Sequence, residues 1–186
     1  MKQLPIVRDN TAVIGPFRLS YAYLTKPYSH DGDPGKGKYM TNVLIPKSDK
    51  ATIKAIEKAI ESAKKSAIAS KWGGKEPKKL DIPLRDGDEK DDELYADHFY
   101  INAKTSNRPG VCDKNRSPIF DEDEIYSGMW AVVSIDFYGY DISGNRGIAV
   151  GLRNVMKVKD GERLGGTSSA ENDFDGIEFD DDDDDL

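Results

Sequence analysis

Aromatic and basic residues are interleaved along most of this chain, and together they have the means to grip a charged, planar polymer. Tyr21, Tyr23, Tyr28, Tyr39, Tyr100, Trp130, Tyr138 and Tyr140 fall within or beside stretches that read as β-strands. Lys26, Lys36, Lys38, Lys104, Arg108, Lys114, Arg116 and Arg146 sit in the adjoining loops. A flat ring stacks on a nucleobase for about 1–3 kcal/mol, and it does so with any base. Ammonium and guanidinium groups along the same path neutralise phosphates, which makes such binding weaken with salt. Tyr and Trp suit a wet face because their polar tips tolerate water, whereas Phe17, Phe99 and Phe137 are assigned to the core.

Other chemistries find less support. Cys112 is the sole cysteine, so no disulfide framework or cysteine-rich zinc site can form. The two histidines, His30 and His98, offer little for catalysis, and nothing orients either toward Cys112 in its loop-like Arg108–Asp113 context. The acidic run Asp86–Glu93 lacks the sixth-position glycine that an EF-hand turn requires. The expectation is therefore a protein with no cofactor and no metal that is not an enzyme.

These side chains need strands to position them. Thr11–Thr25 alternates, with Phe17, Leu19, Tyr21 and Tyr23 on one face and Arg18, Ser20 and Ala22 on the other. Gly15-Pro16 marks a bend or a start. Lys38–Pro46 forms a second strand in which Tyr39, Thr41, Val43 and Ile45 share a side. Ser48 or Asp49 caps a helix running to Lys71, whose Ile53, Ile56, Ile60, Ala63 and Ala67 follow helical spacing. Lys75–Glu93 reads as loop, Leu94–Thr105 as a third strand, and the stretch to Arg116 as a basic loop. Gly128–Tyr140 has the clearest alternation in the chain and pairs with Ile148–Val158 as a hairpin. This order predicts a mainly β fold: an OB-like five-stranded antiparallel barrel with one inserted α-helix.

Charge divides the chain in two. The sequence holds 27 basic and 34 acidic residues, a net charge of −7. From Gly166 onward it carries ten acidic residues and no Lys or Arg, which leaves the body at a formal +3. The expected division is a binding domain over 1–165 and a disordered acidic tail over 166–186, since Asp180–Asp185 repel one another and bury nothing. Such a tail mimics a nucleic-acid backbone. Tethered, it would face the body's basic groove at an effective concentration in the millimolar range. Phe174, Phe179, Asp180, Asp185 and Leu186 are its candidate partner-binding residues. The start MKQLPIVRDN lacks the apolar core of a signal peptide, and no run of 18 apolar residues occurs, so a cytoplasmic protein without membrane contact is expected.

The chain resembles a bacteriophage family of single-stranded-DNA-binding proteins with an OB fold. The resemblance rests on the ordered combination of Gly15–Ser20, Leu44–Asp49, Gly128–Ala131, the hairpin ending Gly147–Val155, and Asp160–Gly166 leading into the acidic tail. The layout is also similar to podoviral replication proteins whose acidic tails end in an aromatic residue, where this sequence has Leu186. The resemblance implies sequence-independent coverage of single strands in phage DNA replication, recombination and repair. The partners are then single-stranded DNA and, through the tail, replication or recombination proteins; a homodimer is compatible with the sequence. The competing readings are a strand-annealing mediator, a DNA-mimicking interaction module, and a metal-dependent nuclease built on Asp97, Asp121, Asp123 and Lys104.

Overall fold

The computed structural model describes residues 2–29, 37–165 and 174–177. Its strands are β1 (Ile6–Arg8), β2 (Thr11–Tyr28), β3 (Lys38–Pro46), β4 (Arg85–Asp86), β5 (His98–Thr105), β6 (Gly110–Cys112), β7 (Trp130–Ile142) and β8 (Asn145–Lys159), and helix α1 spans Lys50–Ser70. The strands β5-β3-β2-β7-β8 form a ring of neighbours. Pairing of β5 with β8 closes it at Ala103–Val150 and Lys104–Gly151, and this closing pair alone in the ring runs parallel. The mainly β, five-stranded barrel with a single helix is thus as the sequence predicts. β1, β4 and β6 are short additions on β2, β5 and β8.

Alternation does most of the building. On β7, Ala131, Val133, Ile135 and Phe137 are completely buried while the residues between them face outward. On β3, Thr41, Val43 and Ile45 point inward. Asp49 caps α1, its side chain accepting from the Thr52 amide at 3.1 Å. The helix buries Ile56, Ala59, Ile60, Ala63 and Ala67 and packs on β7 and the β1–β2 corner. Gly139 permits that approach, since a Cβ there would lie 2.3 Å from the Ala67 Cβ. Trp72 follows the helix inward, and its indole N–H donates to the Tyr140 carbonyl at 3.1 Å.

Several sequence expectations need correcting. Tyr21 does not share the face of Phe17 and Leu19: at φ 48° it sits within a register shift between Ser20 and Tyr23, and its side chain is turned out. The third strand begins at His98, because Leu94 and Tyr95 belong to a single 3₁₀ turn. The basic loop after β5 contains β6. Lys26, Lys38 and Lys104 lie on strands rather than in loops. Phe99 is not core; it is half-buried, with the Lys47 ammonium 5.0 Å from its ring centre. Among the described residues no helix is long and apolar enough to cross a membrane.

Candidate nucleic-acid interface

The alternation that buries Ile101 and Ala103 turns Tyr100, Asn102 and Lys104 of β5 outward. Strand register then sets their neighbours. Tyr23 lies opposite Met40, Met40 opposite Lys104, Lys104 opposite Gly151, and Gly151 opposite Asp136. At about 4.8 Å per strand, this row crosses roughly 19 Å of barrel surface. Gly151 makes room for the Asp136 carboxylate, which a Cβ at that position would meet at 2.4 Å. Beside the row opens a cleft of about 480 Å³, lined by Lys38, Arg85, Asn102, Lys104, Tyr138 and Tyr140 among others. The Tyr140 hydroxyl donates to Asp81 at 3.1 Å, and Arg85 pairs with the same carboxylate at 3.2 Å. Partial burial, then the Asp81 contact, holds the Tyr140 phenol above its ordinary pKa, so the ring stays neutral.

A second aromatic group adjoins the first. Tyr95 is fully buried and meets Tyr100 edge-on at 5.1 Å. The Lys90 ammonium lies 4.5 Å from the Tyr95 ring centre, 5.2 Å from that of Tyr100 and 5.3 Å from that of Tyr21. Under these rings, the Asn42 amide donates to the Tyr95 hydroxyl at 2.8 Å and the Asn102 amide donates to the Asn42 carbonyl at 2.8 Å. The relay fixes both amides, and the Asn102 side-chain oxygen is left buried without a partner. Tyr23 and Tyr28 pack at 4.8 Å with their planes tilted by 41°.

A cleft of about 650 Å³ lies next to Tyr21 and Tyr23, and its far wall is Tyr126, Arg163, Leu164 and Gly165. Here the chain leaves the body as a pinned strap. Arg163 covers the Tyr126 ring at 4.1 Å and Lys157 lies 5.0 Å from its centre. The Tyr126 hydroxyl donates to Asp160 at 2.6 Å, Arg18 donates to the Glu162 carbonyl at 2.7 Å, and the Leu164 amide donates to the Ser127 carbonyl at 2.9 Å. Lys157 foremost, and then Tyr126, hold the Asp160 carboxyl below its ordinary range. Lys47 does the same for Asp86 and Asp88. A carboxylate depressed on folding stabilises the fold above its unfolded pKa, and that contribution disappears as pH falls through the folded value, here below about pH 4. Asp160 is solvent-exposed, so Asp160→Asn should cost under about 1 kcal/mol at pH 7. In melts run from pH 7 down to pH 3, the gap to wild type should narrow at the acid end. A gap that does not narrow at all between pH 5 and pH 3 would mean Asp160 acts through shape rather than charge.

The fold brings together about half of the residues singled out from sequence. Lys38, Lys104, Tyr138 and Tyr140 share the first cleft, Tyr21 and Tyr100 share Lys90, and Tyr23 and Tyr28 pair on β2. Others lie apart. Tyr39 is on the interior side of β3 with Thr41 and Val43. Trp130 is at the opposite end of β7 from Tyr138, under Lys159 at 4.7 Å. Lys26 is exposed on β2. Arg108 faces Glu122 at 3.9 Å in a separate cleft with Cys112 and Phe120. Arg116 is exposed in a turn at φ 66°, and Arg146 is paired with Asp141 at 2.9 Å. Phe174 is exposed, whereas Lys36, Phe179, Asp180, Asp185 and Leu186 lie outside the described residues, as does most of the acidic tail. Sequence reasoning passed over Arg85, Lys90, Tyr95, Asn42 and Asn102. Two signals were present: asparagines inside otherwise apolar strands, and one cation within an acidic run. Among the described residues no group of three His, Cys, Asp or Glu side chains is placed to hold a metal.

Comparison with known proteins gives this arrangement a context. The family model for the ssDNA-binding protein of Enterobacter phage Enc34 matches residues 10–186. A protein designated p50, from Acyrthosiphon pisum secondary endosymbiont phage 1, is 36% identical over 176 residues, covering 88% of this chain and 89% of that protein. The solved structure of the bacteriophage Enc34 single-stranded DNA-binding protein in complex with ssDNA matches with a TM-score of 0.71 at 28% identity, over 88% of this chain and 99% of that one. The single-stranded DNA binding protein encoded by bacteriophage T7 matches with a TM-score of 0.60 over 90% of this chain and 94% of its own, and at 19% identity this likeness concerns the fold.

Proposed function

The chain belongs to the family of the Enterobacter phage Enc34 ssDNA-binding protein, and from that premise we propose that it binds single-stranded DNA without regard to sequence. The observation that carries this reading is the convergence of Lys38, Arg85 and Lys104 with Tyr138 and Tyr140 on one outward cleft, next to the tyrosines of β2 and β5. Rings there offer stacking surfaces and cations offer phosphate contacts, a combination that any base satisfies. The protein would serve replication, recombination and repair of phage DNA in the host cytoplasm. Residues 1–165 form the binding domain, and 166–186 act as a tethered acidic competitor that also recruits partner proteins. Support for the competitor comes from Gly165, which lines the cleft beside Tyr21 and Tyr23, so the tail starts at the edge of the aromatic face.

The test is fluorescence anisotropy with a labelled oligo-dT of about 30 nucleotides, using the full chain and a version ending at Gly165. Binding should fall steeply with salt, at a log–log slope of about 0.7 per phosphate neutralised. At low salt the shortened version should bind several-fold more tightly, because it has lost its competitor. Equal affinities would remove the competition and leave the barrel reading intact. No binding by either version at any salt would overturn the proposal and favour an interaction module.

A further inference from the structure

Lys90 occupies an unusual position that nothing above employs. It is the one cation in the run Asp86–Glu93, among six acids. Several of those acids are engaged elsewhere. Lys47 pairs with Asp86 at 2.7 Å and also with Asp88, the Asp97 amide donates to Asp88 at 2.8 Å, and Asp92 caps the 3₁₀ turn Glu93–Tyr95 by accepting from the Leu94 amide. These contacts hold the loop against the barrel, and the Lys90 backbone is fastened on both sides, by Lys90 N–H to the Gly87 carbonyl at 3.1 Å and Asp92 N–H to the Lys90 carbonyl at 2.9 Å. Its side chain has no carboxylate within 4.0 Å among the described residues, and its ammonium instead rests on three tyrosine rings. One of these, Tyr21, is half exposed and held at a positive φ that a bulky residue adopts only at a cost.

Tyr95 is fully buried, but on Tyr21 and Tyr100 the Lys90 ammonium occupies ring surface that a stacked base would use. Cation–π contact with an exposed ring is weak and easily exchanged for a phosphate. The four-carbon stem lets the charge swing while the backbone stays fixed. We infer that Lys90 is an internal occupant of the base-stacking site, displaced from the tyrosine rings when single-stranded DNA arrives and transferred to a phosphate of the bound strand. The inference rests on the single-stranded-DNA reading above. It also explains how an acidic loop can border a DNA-binding face: Asp86, Asp88 and Asp92 are tied up in structure, and the loop's one cation is stored beside the entering strand.

The experiment has two readouts on the full chain. In the first, oligo-dT affinity is measured across a salt series for wild type, Lys90→Ala, Lys90→Met and Lys90→Arg. Loss of one phosphate contact should lower the salt slope by about 0.7 and weaken low-salt binding by about fivefold in the Ala and Met variants, with Arg close to wild type. Met keeps an apolar stem over the rings, so it decides the matter if the Ala variant melts early. In the second, proton NMR follows the Lys90 side-chain methylenes, which three ring currents should shift upfield in the free protein. The shift should relax when oligo-dT binds. An unchanged slope in both uncharged variants would overturn the phosphate transfer, and an upfield shift retained in the complex would overturn the displacement. Failure of wild type to bind at all would instead fall on the DNA-binding reading itself.

Discussion

Replacing Tyr21 and Tyr100 together by alanine should weaken oligo-dT binding by about a hundredfold. Each ring that stacks a base is worth about 1–3 kcal/mol, and tenfold in affinity corresponds to about 1.4 kcal/mol. The two rings share Lys90 as a common neighbour, so they belong to one platform and their losses will not be strictly additive. The Tyr21 ring is exposed, and alanine at φ 48° gains no relief of backbone strain, so that change should barely move the melting temperature. Tyr100 leans on Tyr95 and will cost somewhat more stability. Phenylalanine at both positions keeps the stacking faces and should bind within a few-fold of wild type. A double alanine variant that remains folded and binds within about threefold of wild type would place base stacking elsewhere on the barrel.

The largest stability effect expected is that of Phe137→Ala, a loss of about 3–5 kcal/mol. Phe137 is completely buried at the middle of β7, opposite Val150. Its backbone is held independently of its ring: its amide donates to the Asn10 carbonyl at 2.8 Å, and the Asn10 side chain donates to its carbonyl at 2.7 Å. Removing the ring therefore leaves the strand in place around a cavity. For a chain of this size each kcal/mol moves Tm by about 2–4 °C, so a fall of about 6–20 °C is expected by thermal denaturation. A fall of under about 3 °C would mean that the barrel collapses around the gap and is less rigidly packed than the burial implies. Tyr138, one residue on, points outward, so the folded fraction of the variant should bind oligo-dT nearly as wild type does.

The long elements were legible because each repeats one period for long enough. β3 has the expected bounds, and the 3.6-residue stripe of α1 ends within a residue or two of its expected limits. β1, β4 and β6 have two or three residues each and show no period at all; only their pairing to longer strands makes them strands. Alternation misplaces Tyr21 because it assumes an unbroken pleat, which the register shift between Ser20 and Tyr23 breaks. Residue type alone assigns Phe99 to the core, yet it is only half-buried, with the Lys47 ammonium over its ring. The site was half legible. Residue type pointed to tyrosines and lysines, but the union of Lys38 with Lys104, or of Lys90 with Tyr21, depends on strands far apart in sequence. Arg146 and Arg108 look like free cations in the sequence and lose that freedom to Asp141 and Glu122 in the fold.

The ring of strands also dictates how the protein can be made. β2 pairs with β3 soon after synthesis, but its other edge waits for β7, as in the pairing of Phe17 with Ala131. Roughly 110 residues separate those partners, so at a translation rate of about 5–20 residues per second the edge stays open for on the order of ten seconds. The β5–β8 seam, which needs Val150 and Gly151, forms later still. During that interval the nascent chain presents a long unpaired strand edge, the kind of surface that templates aggregation. Nearly all of the body must leave the ribosome before the ring can close, since its last two strands are β7 and β8, and such long-range pairing slows folding. Fragments that stop short of β8 should therefore be recovered as aggregates rather than as smaller domains.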